Sequence, residues 1–192
     1  LTENKLDKEK IEKGTRLILE GIGEDLDRPG LKDTPERVGR MMEEICSGLH
    51  RDPADEVSTF FQEEYQEMVV LDDIPFKSLC EHHLLPILGK GSIVYMPKDG
   101  KIVGASKLAR ALEVASSRPQ IQERLTSQVA DVLMEKIDPY GVLVKIRAEH
   151  LCMTLRGVKK PGSKMVTSAI RGKFKTDKAA RDEALTLISE KE

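Results

Sequence analysis

The run over residues 142–155 constrains this chain more than any other stretch, because it alternates apolar and polar residues and so reads as a strand. Side chains on alternate residues of a strand share a face. Val142, Val144, Ile146 and Ala148 make one apolar face that other parts of the chain must cover. The same parity continued to residue 156 adds His150, Cys152, Thr154 and Arg156, so the face passes from core into metal-binding and anion-binding groups. A buried site at the end of this strand is implied. Residues 165–174 can return as its antiparallel partner across a turn at 157–163.

The rest of the chain supplies the cover. Leu6, Ile11, Leu17 and Ile18 form a helical stripe that ends near Gly21 and Gly23. After the turn-forming Asp27-Arg-Pro-Gly30, Thr34 is placed to cap a second helix with Pro35 at its first position, and Val38, Met41, Met42 and Ile45 recur at helical spacing before Gly48. Residues 49–67 are acidic, contain Pro53 and lack periodicity, and read as a connection. Short β-prone runs follow at 68–74, 76–80 and 91–96, the last closed by Pro97-Lys-Asp-Gly100. Helices are expected at 106–116 and at about 120–137, the second with Ile121, Leu125, Val129, Val132 and Leu133 on one side and stopped by Asp138-Pro-Tyr-Gly141; a last helix fits 177–189. The expectation is an α+β chain with an N-terminal helical region, 1–66, and a sheet-and-helix region, 67–192, integrated into one domain. Its 192 residues suit a single core.

Composition excludes several partners. Lys and Arg number 31 against 33 Asp and Glu, a net charge of −2 that supplies no overall field for nucleic acid or a membrane surface. An aromatic content of 4%, without Trp, argues against a stacking platform for single strands. Charges interrupt the apolar stretches well before they could cross a bilayer, and residues 1–13 lack the apolar centre of a signal peptide, so a cytoplasmic protein is expected.

Three cysteines are an odd count at low density and describe no disulfide framework; reduced thiols are expected. Two of them, with three of the four histidines, fall in Cys80-Glu-His-His83 and His150-Leu-Cys152. Cys80 and His83 can converge on one ion from a tight turn, with Cys152 arriving from the distant strand, and thiolate plus imidazole favours zinc. Three ligands leave a position for water, as in catalytic sites, where zinc lowers the pKa of that water to about 7. The same residues also allow a closed zinc staple, with Cys46 or another histidine as fourth ligand, and a redox pair of Cys80 with Cys152. Cys46 lies on the Met/Ile stripe and reads as core. His50 reads as a surface or linker histidine. His82 and His150 adjoin the ligands, where they suit either proton transfer or ligand orientation. Arg37 with Arg40, and Lys107 with Arg110, each share a helical face. One such pair alone is ordinary solvated surface; with Arg156 and the metal residues they suggest a polyphosphate. Glu123 suits a nitrogen-rich ring, or equally a helix dipole.

Four stretches taken together, Cys80-Glu-His-His83, Gly104-Ala-Ser106-Lys107-Leu-Ala-Arg110, Arg118-Pro-Gln-Ile-Gln-Glu-Arg124 and His150-Leu-Cys-Met-Thr-Leu-Arg156-Gly157, resemble the GTP cyclohydrolase I family in order and spacing over about residues 15–190. Two positions depart from the pattern: Ala105, where Leu is commoner, and Arg171, where a smaller or apolar residue is usual. The resemblance implies conversion of GTP and water to 7,8-dihydroneopterin triphosphate and formate, the first step toward tetrahydrofolate or tetrahydrobiopterin. It implies one Zn2+ per subunit on Cys80, His83 and Cys152, attack of activated water at C8 of guanine, and proton movement by His82 and His150. Glu123 and Gln122 would hold guanine; Ser106, Lys107, Arg110 and Arg156, with Arg37 and Arg40, would meet ribose or triphosphate. Glu81 would help orient the neighbouring site. The phosphates survive, and the chain lacks the Gly-x-x-x-x-Gly-Lys-[Ser/Thr] loop of enzymes that cleave them.

The implied fold is the α+β tunnelling fold (T-fold), in which antiparallel sheets of several subunits close a barrel. The assembly is commonly a homodecamer of two pentamers with active sites between subunits, and closure covers strand edges. Three other classes compete with this reading. A deaminase would need His-x-Glu and Pro-Cys-x-x-Cys, which are missing. The others are a non-enzymatic zinc-stabilised assembly module and a related tunnelling-fold enzyme acting on another pteridine or purine.

Overall fold

A computed structural model of the chain describes residues 6–189. Helix α1 (Lys8–Gly21) starts at Asp7, whose carboxylate accepts from the Lys10 N–H at 3.0 Å, and packs against α2 (Thr34–Ile45). It buries no residue fully and leaves Leu17, Ile18 and Ile22 exposed. Asp33, not Thr34, takes the N-cap position of α2, and it forms no side-chain capping bond. Pro35 is accommodated in the first turn, where helical N–H groups have no intrahelical partner. Cys46 follows the helix into the core, and His50 is exposed, as their places in the sequence suggest.

The segment read as a connection is built into the body. It forms a 3-10 turn (Pro53–Glu56) against α3 and a strand β1 (Phe60–Gln62) that pairs antiparallel with β4 (Lys101–Val103), so chain pairing crosses the boundary expected at residue 66. Arg118 holds this part in place by donating to the carbonyls of Gly48, Arg51 and Val114.

The main sheet has the order β5-β2-β3-β6-β7. Where two β-prone runs were expected there is one strand, β2 (Val69–Cys80), whose register shifts between Leu71 and Ile74 while Asp73 takes a left-handed φ of 54°. Asp72 and Asp73 then accept from Ser92 Oγ and Lys90 Nζ of the neighbouring β3 (Pro86–Met96), which holds the bulge. Pro75 is tolerated because β5 (Pro119–Gln120) pairs only with Leu79 and Cys80 and requires no N–H donor from residue 75.

Helices α3 (Ala105–Ser116) and α4 (Gln122–Ile137) cover one face of the sheet. Leu108, Leu112, Leu125, Val129 and Leu133 pack there on Ile93, Val142, Val144 and Ile146. A Cβ on Gly91 would lie 2.7 Å from Leu112 Cδ2, so glycine lets α3 sit close to the sheet. The other face carries a smaller core of Val94 and Leu143 with Phe174, Ala180, Ala184 and Ile188, from α6 (Lys173–Thr176), α7 (Lys178–Leu187) and the residue beyond it. Arg171 bonds Asp131 Oδ1 at 2.6 Å, joining β7 to α4.

Strand β6 (Gly141–His150) has the expected alternation through Ala148 and His150 but ends there. The predicted continuation to residue 155 is instead the helical turn α5 (Leu151–Thr154), and β7 (Met165–Gly172) pairs only as far as Ala148. The partner strand explains the stop: His150 pairs with Ile87, and the preceding Pro86 has no N–H to extend the ladder.

Leu133 is fully buried between α4 and the sheet. Leu133→Ala should cost about 2–5 kcal/mol by cavity formation, read as a lower urea midpoint with an unchanged m value.

Candidate metal centre

Cys80 is the last residue of β2, and the turn after it is built on its own backbone. Its carbonyl accepts from the N–H groups of Leu84 (2.8 Å) and His83 (3.3 Å), while its N–H donates to Leu85 O at 2.8 Å. The closure puts Leu84 at φ 53°, a left-handed conformation that costs a non-glycine residue about 1–3 kcal/mol. The turn holds Glu81, His82 and His83 out from the sheet. Cys80 Sγ, itself buried, lies 4.0 Å from His83 Nδ1 and 3.8 Å from His82 Nδ1.

Cys152 reaches the same place from α5. One ligand atom from each of Cys80, His83 and Cys152 lies within 4.8 Å of the other two, so a single ion is within reach of all three. Cys46 is not among them. Burial pushes the Cys152 thiol up, and contact with the Cys80 thiol adds to this. A soft divalent cation between the two sulfurs would draw both to thiolate. Two sulfurs and an imidazole therefore fit a metal ion in donor type as well as in position.

The loop carrying Cys152 is clasped by Glu149. Its carboxylate accepts from Thr154 Oγ1 (3.2 Å), Gly162 N–H (3.4 Å) and Lys164 Nζ (2.8 Å), and Lys164, then these hydrogen bonds, hold it below the usual carboxylate range. Arg156, expected at the phosphates, lies 3.2 Å from His83 Nε2 and donates to Cys152 O. On the other side Arg124 bridges Gln120 Oε1 (2.6 Å) and the Glu81 carboxylate, tying the metal turn to the start of α4.

His150 stands on the α4 side of β6 with Nε2 2.8 Å from Gln122 Oε1. Burial lowers its pKa, and Glu123 works against that by its charge. Glu123 is exposed at the first turn of α4. Gln122, which the family resemblance assigns to guanine, is 1% exposed, and its amide donates to Ile146 O and Met165 O inside the fold. The signal was in the sequence, since Gln122 stands on the stripe of Leu125, Val129 and Leu133, at the spacing of a buried face. Nothing comparable marked the ion pairs of Glu149 with Lys164 and of Arg124 with Glu81, which join residues 15 and 43 positions apart.

Ser106, Lys107 and Arg110 occupy the first turns of α3. Among the described residues neither Lys107 nor Arg110 forms an ion pair, whereas Arg37 and Arg40 pair with Asp33 and Glu36 of their own helical segment. The C-terminal end of α3 leads into β5 beside Cys80. Lys107 therefore lies roughly 13 Å back along the helix axis at about 1.5 Å per residue.

An α+β chain that gathers two thiols and an imidazole at one end of its sheet, with a second histidine beside them, has the frame of a metal-dependent enzyme. The model of GTP cyclohydrolase I matches residues 11–189. GTP cyclohydrolase 1 of Carboxydothermus hydrogenoformans is 61% identical over 183 residues, 95% of each chain. That of Caldanaerobacter subterraneus subsp. tengcongensis is 59% identical over 97% of this chain and 99% of its own, and that of Clostridioides difficile 57% identical over 98% and 100%. Among solved structures, an archaeosine synthase QueF-like protein in the apo form is similar over 57% of this chain and 97% of its own, at 16% identity and a TM-score of 0.47. The chain belongs to the GTP cyclohydrolase I family, and its mostly antiparallel sheet covered by helices is the α+β architecture expected from the sequence.

Cys152→Ala removes one of the three candidate ligands. Metal analysis of the purified variant should show loss of the ion, against one ion per chain in the parent.

Proposed function

We propose that the Cys80–His83–Cys152 cluster holds one Zn2+ per subunit and that GTP binds beside it, to be converted with water to 7,8-dihydroneopterin triphosphate and formate. The convergence of the three ligand atoms is the observation that carries the reading. When bound, zinc supplies Lewis acidity that brings the pKa of water to about 7. His150 and His82 move protons at the purine ring, one from the end of β6 and one from the turn after β2. Glu123 receives the guanine edge from the first turn of α4; Gln122, with its side chain inward, leaves that role to Glu123 and to backbone N–H groups at the helix start. Arg156 meets the triphosphate beside the cluster, with Ser106, Lys107, Arg110, Arg37 and Arg40 completing the phosphate and ribose contacts.

The functional unit is a homodecamer of two pentamers with sites between subunits. Three features support this. Strand β7 ends the sheet, and the described residues pair nothing with its outer edge. Helix α1 exposes apolar residues. Lys107 and Arg110 stand back along α3 from the metal end of their own chain, so a neighbour's copy is the natural source of those cations. No helix of the described residues is long and apolar enough to cross a membrane, and all three cysteines are free, which suits the reducing cytoplasm. The product feeds tetrahydrofolate or tetrahydrobiopterin formation.

Metal-replete protein given GTP should release formate and a pterin that fluoresces after oxidation, with no inorganic phosphate; phosphate without formate overturns the reading. His82→Ala and His150→Ala should each lower kcat by about 10²–10⁴-fold, the range of general acid–base catalysis, while keeping the ion. Light scattering should give a mass near that of ten chains.

A further inference from the structure

We infer that Gln122 is a positioning residue that fixes which nitrogen of His150 carries its proton. The inference rests on the proposed proton-transfer role of His150 and deepens it. Gln122 Nε2 lies 3.1 Å from Ile146 O, Met165 O and Thr167 Oγ1. Two of these are carbonyls, which only accept, so the NH2 end of the amide must face them and Oε1 must face His150.

The hydroxyls beneath agree. Thr126 Oγ1 donates to Gln122 O at 2.6 Å, which uses its one proton; Thr167 must then donate across the 2.6 Å contact to Thr126, leaving its lone pairs for Gln122 Nε2. Reversing the amide would set its oxygen against two carbonyls in a buried setting. Since Gln122 Oε1 can only accept, His150 Nε2, 2.8 Å away, is the nitrogen that bears hydrogen. Nδ1 of the neutral ring is left with its lone pair, and the proton His150 exchanges is the one on Nδ1. The imidazolium keeps the Nε2–H bond to Gln122 unchanged, so the same contact serves both halves of a proton transfer. A purine contact by the Gln122 side chain would need the amide atoms already engaged here.

The experiment is Gln122→Met, alone and in His150→Ala, with kcat, KM for GTP and zinc content measured on the assembled enzyme. The expected result is a kcat about 10²-fold lower, at the low end of what a placed acid–base group contributes, with KM within about threefold and zinc retained. In the His150→Ala background the second substitution should change kcat by less than about twofold, because Gln122 acts through His150. A KM raised tenfold or more, or an equal loss in both backgrounds, overturns the inference and returns the amide to the purine. If His150→Ala is impaired but Gln122→Met is not, positioning alone falls; if His150→Ala turns over normally, the proton-transfer reading falls with it. A wild type that releases no formate from GTP overturns the proposed function first. Should Gln122→Met not fold, neutron diffraction on the wild type decides: deuterium on His150 Nε2 supports the assignment, and deuterium on Nδ1 alone overturns it.

Discussion

Strand β3 sits between β2 and β6 in a register on which the site depends. Leu79 pairs with Pro86 and Ile87 with His150, so the turn after Cys80 and the turn after His150 leave the sheet at the same end. Side chains alternate along a strand, and a slip of one residue would send His150 to the face of Leu143 and Phe174, away from Gln122. The cores on both faces resist such a slip. Val142, Val144 and Ile146 are fully buried under α3 and α4, and exposing each would forfeit roughly 1.5–3 kcal/mol. The position of the reactive groups is thus set by apolar packing far larger in energy than any single contact the groups make.

Where that ladder stops, turns take over, and they are held by polar bonds. Leu84 in a left-handed conformation and the Glu149 clasp are the two clearest cases. The clasp uses charge-assisted bonds, which are roughly twice as strong as neutral ones, and it acts on the loop that delivers Cys152 without occupying a ligand position. Arg124 does the equivalent for the Cys80 turn through Glu81. Each ligand turn is therefore braced by an ion pair outside the donor set. Side chains held in this way can meet one ion at little further ordering cost.

How much of this was legible in the sequence depended on whether the deciding partner was local. Alternation through His150 was readable because the apolar face is a property of the strand itself. Beyond His150 the residues Leu-Cys-Met-Thr still alternate in polarity, yet the chain coils, because Pro86 on a strand more than sixty positions away ends the ladder. The two β-prone runs flanking Pro75 merge for a similar reason: a proline interrupts a strand only where a neighbour needs its N–H. Gln122 entered the reading only through the family resemblance; its burial follows from its place one turn before Leu125 on the face of α4 that packs on the sheet. For Arg37, Arg40, Lys107 and Arg110 the spacing was visible, but under the proposed assembly what they face would be set by neighbouring chains.

The buried amide also bears on why the site tolerates a polar group in its core. An unpaired amide there would cost about 1–3 kcal/mol for each unsatisfied group, and a hydrophobic residue would fill the same volume without that risk. Gln122 avoids the penalty because both hydrogens of its NH2 find acceptors among Ile146 O, Met165 O and Thr167 Oγ1 and its oxygen finds His150. Because two of those acceptors are carbonyls, the amide has one direction whichever acceptors its two hydrogens take. The orientation of His150 is thereby joined to the β6–β7 ladder through Ile146, Thr167 and Met165, so the ring proposed to move protons is registered to the same sheet that places the three candidate ligands.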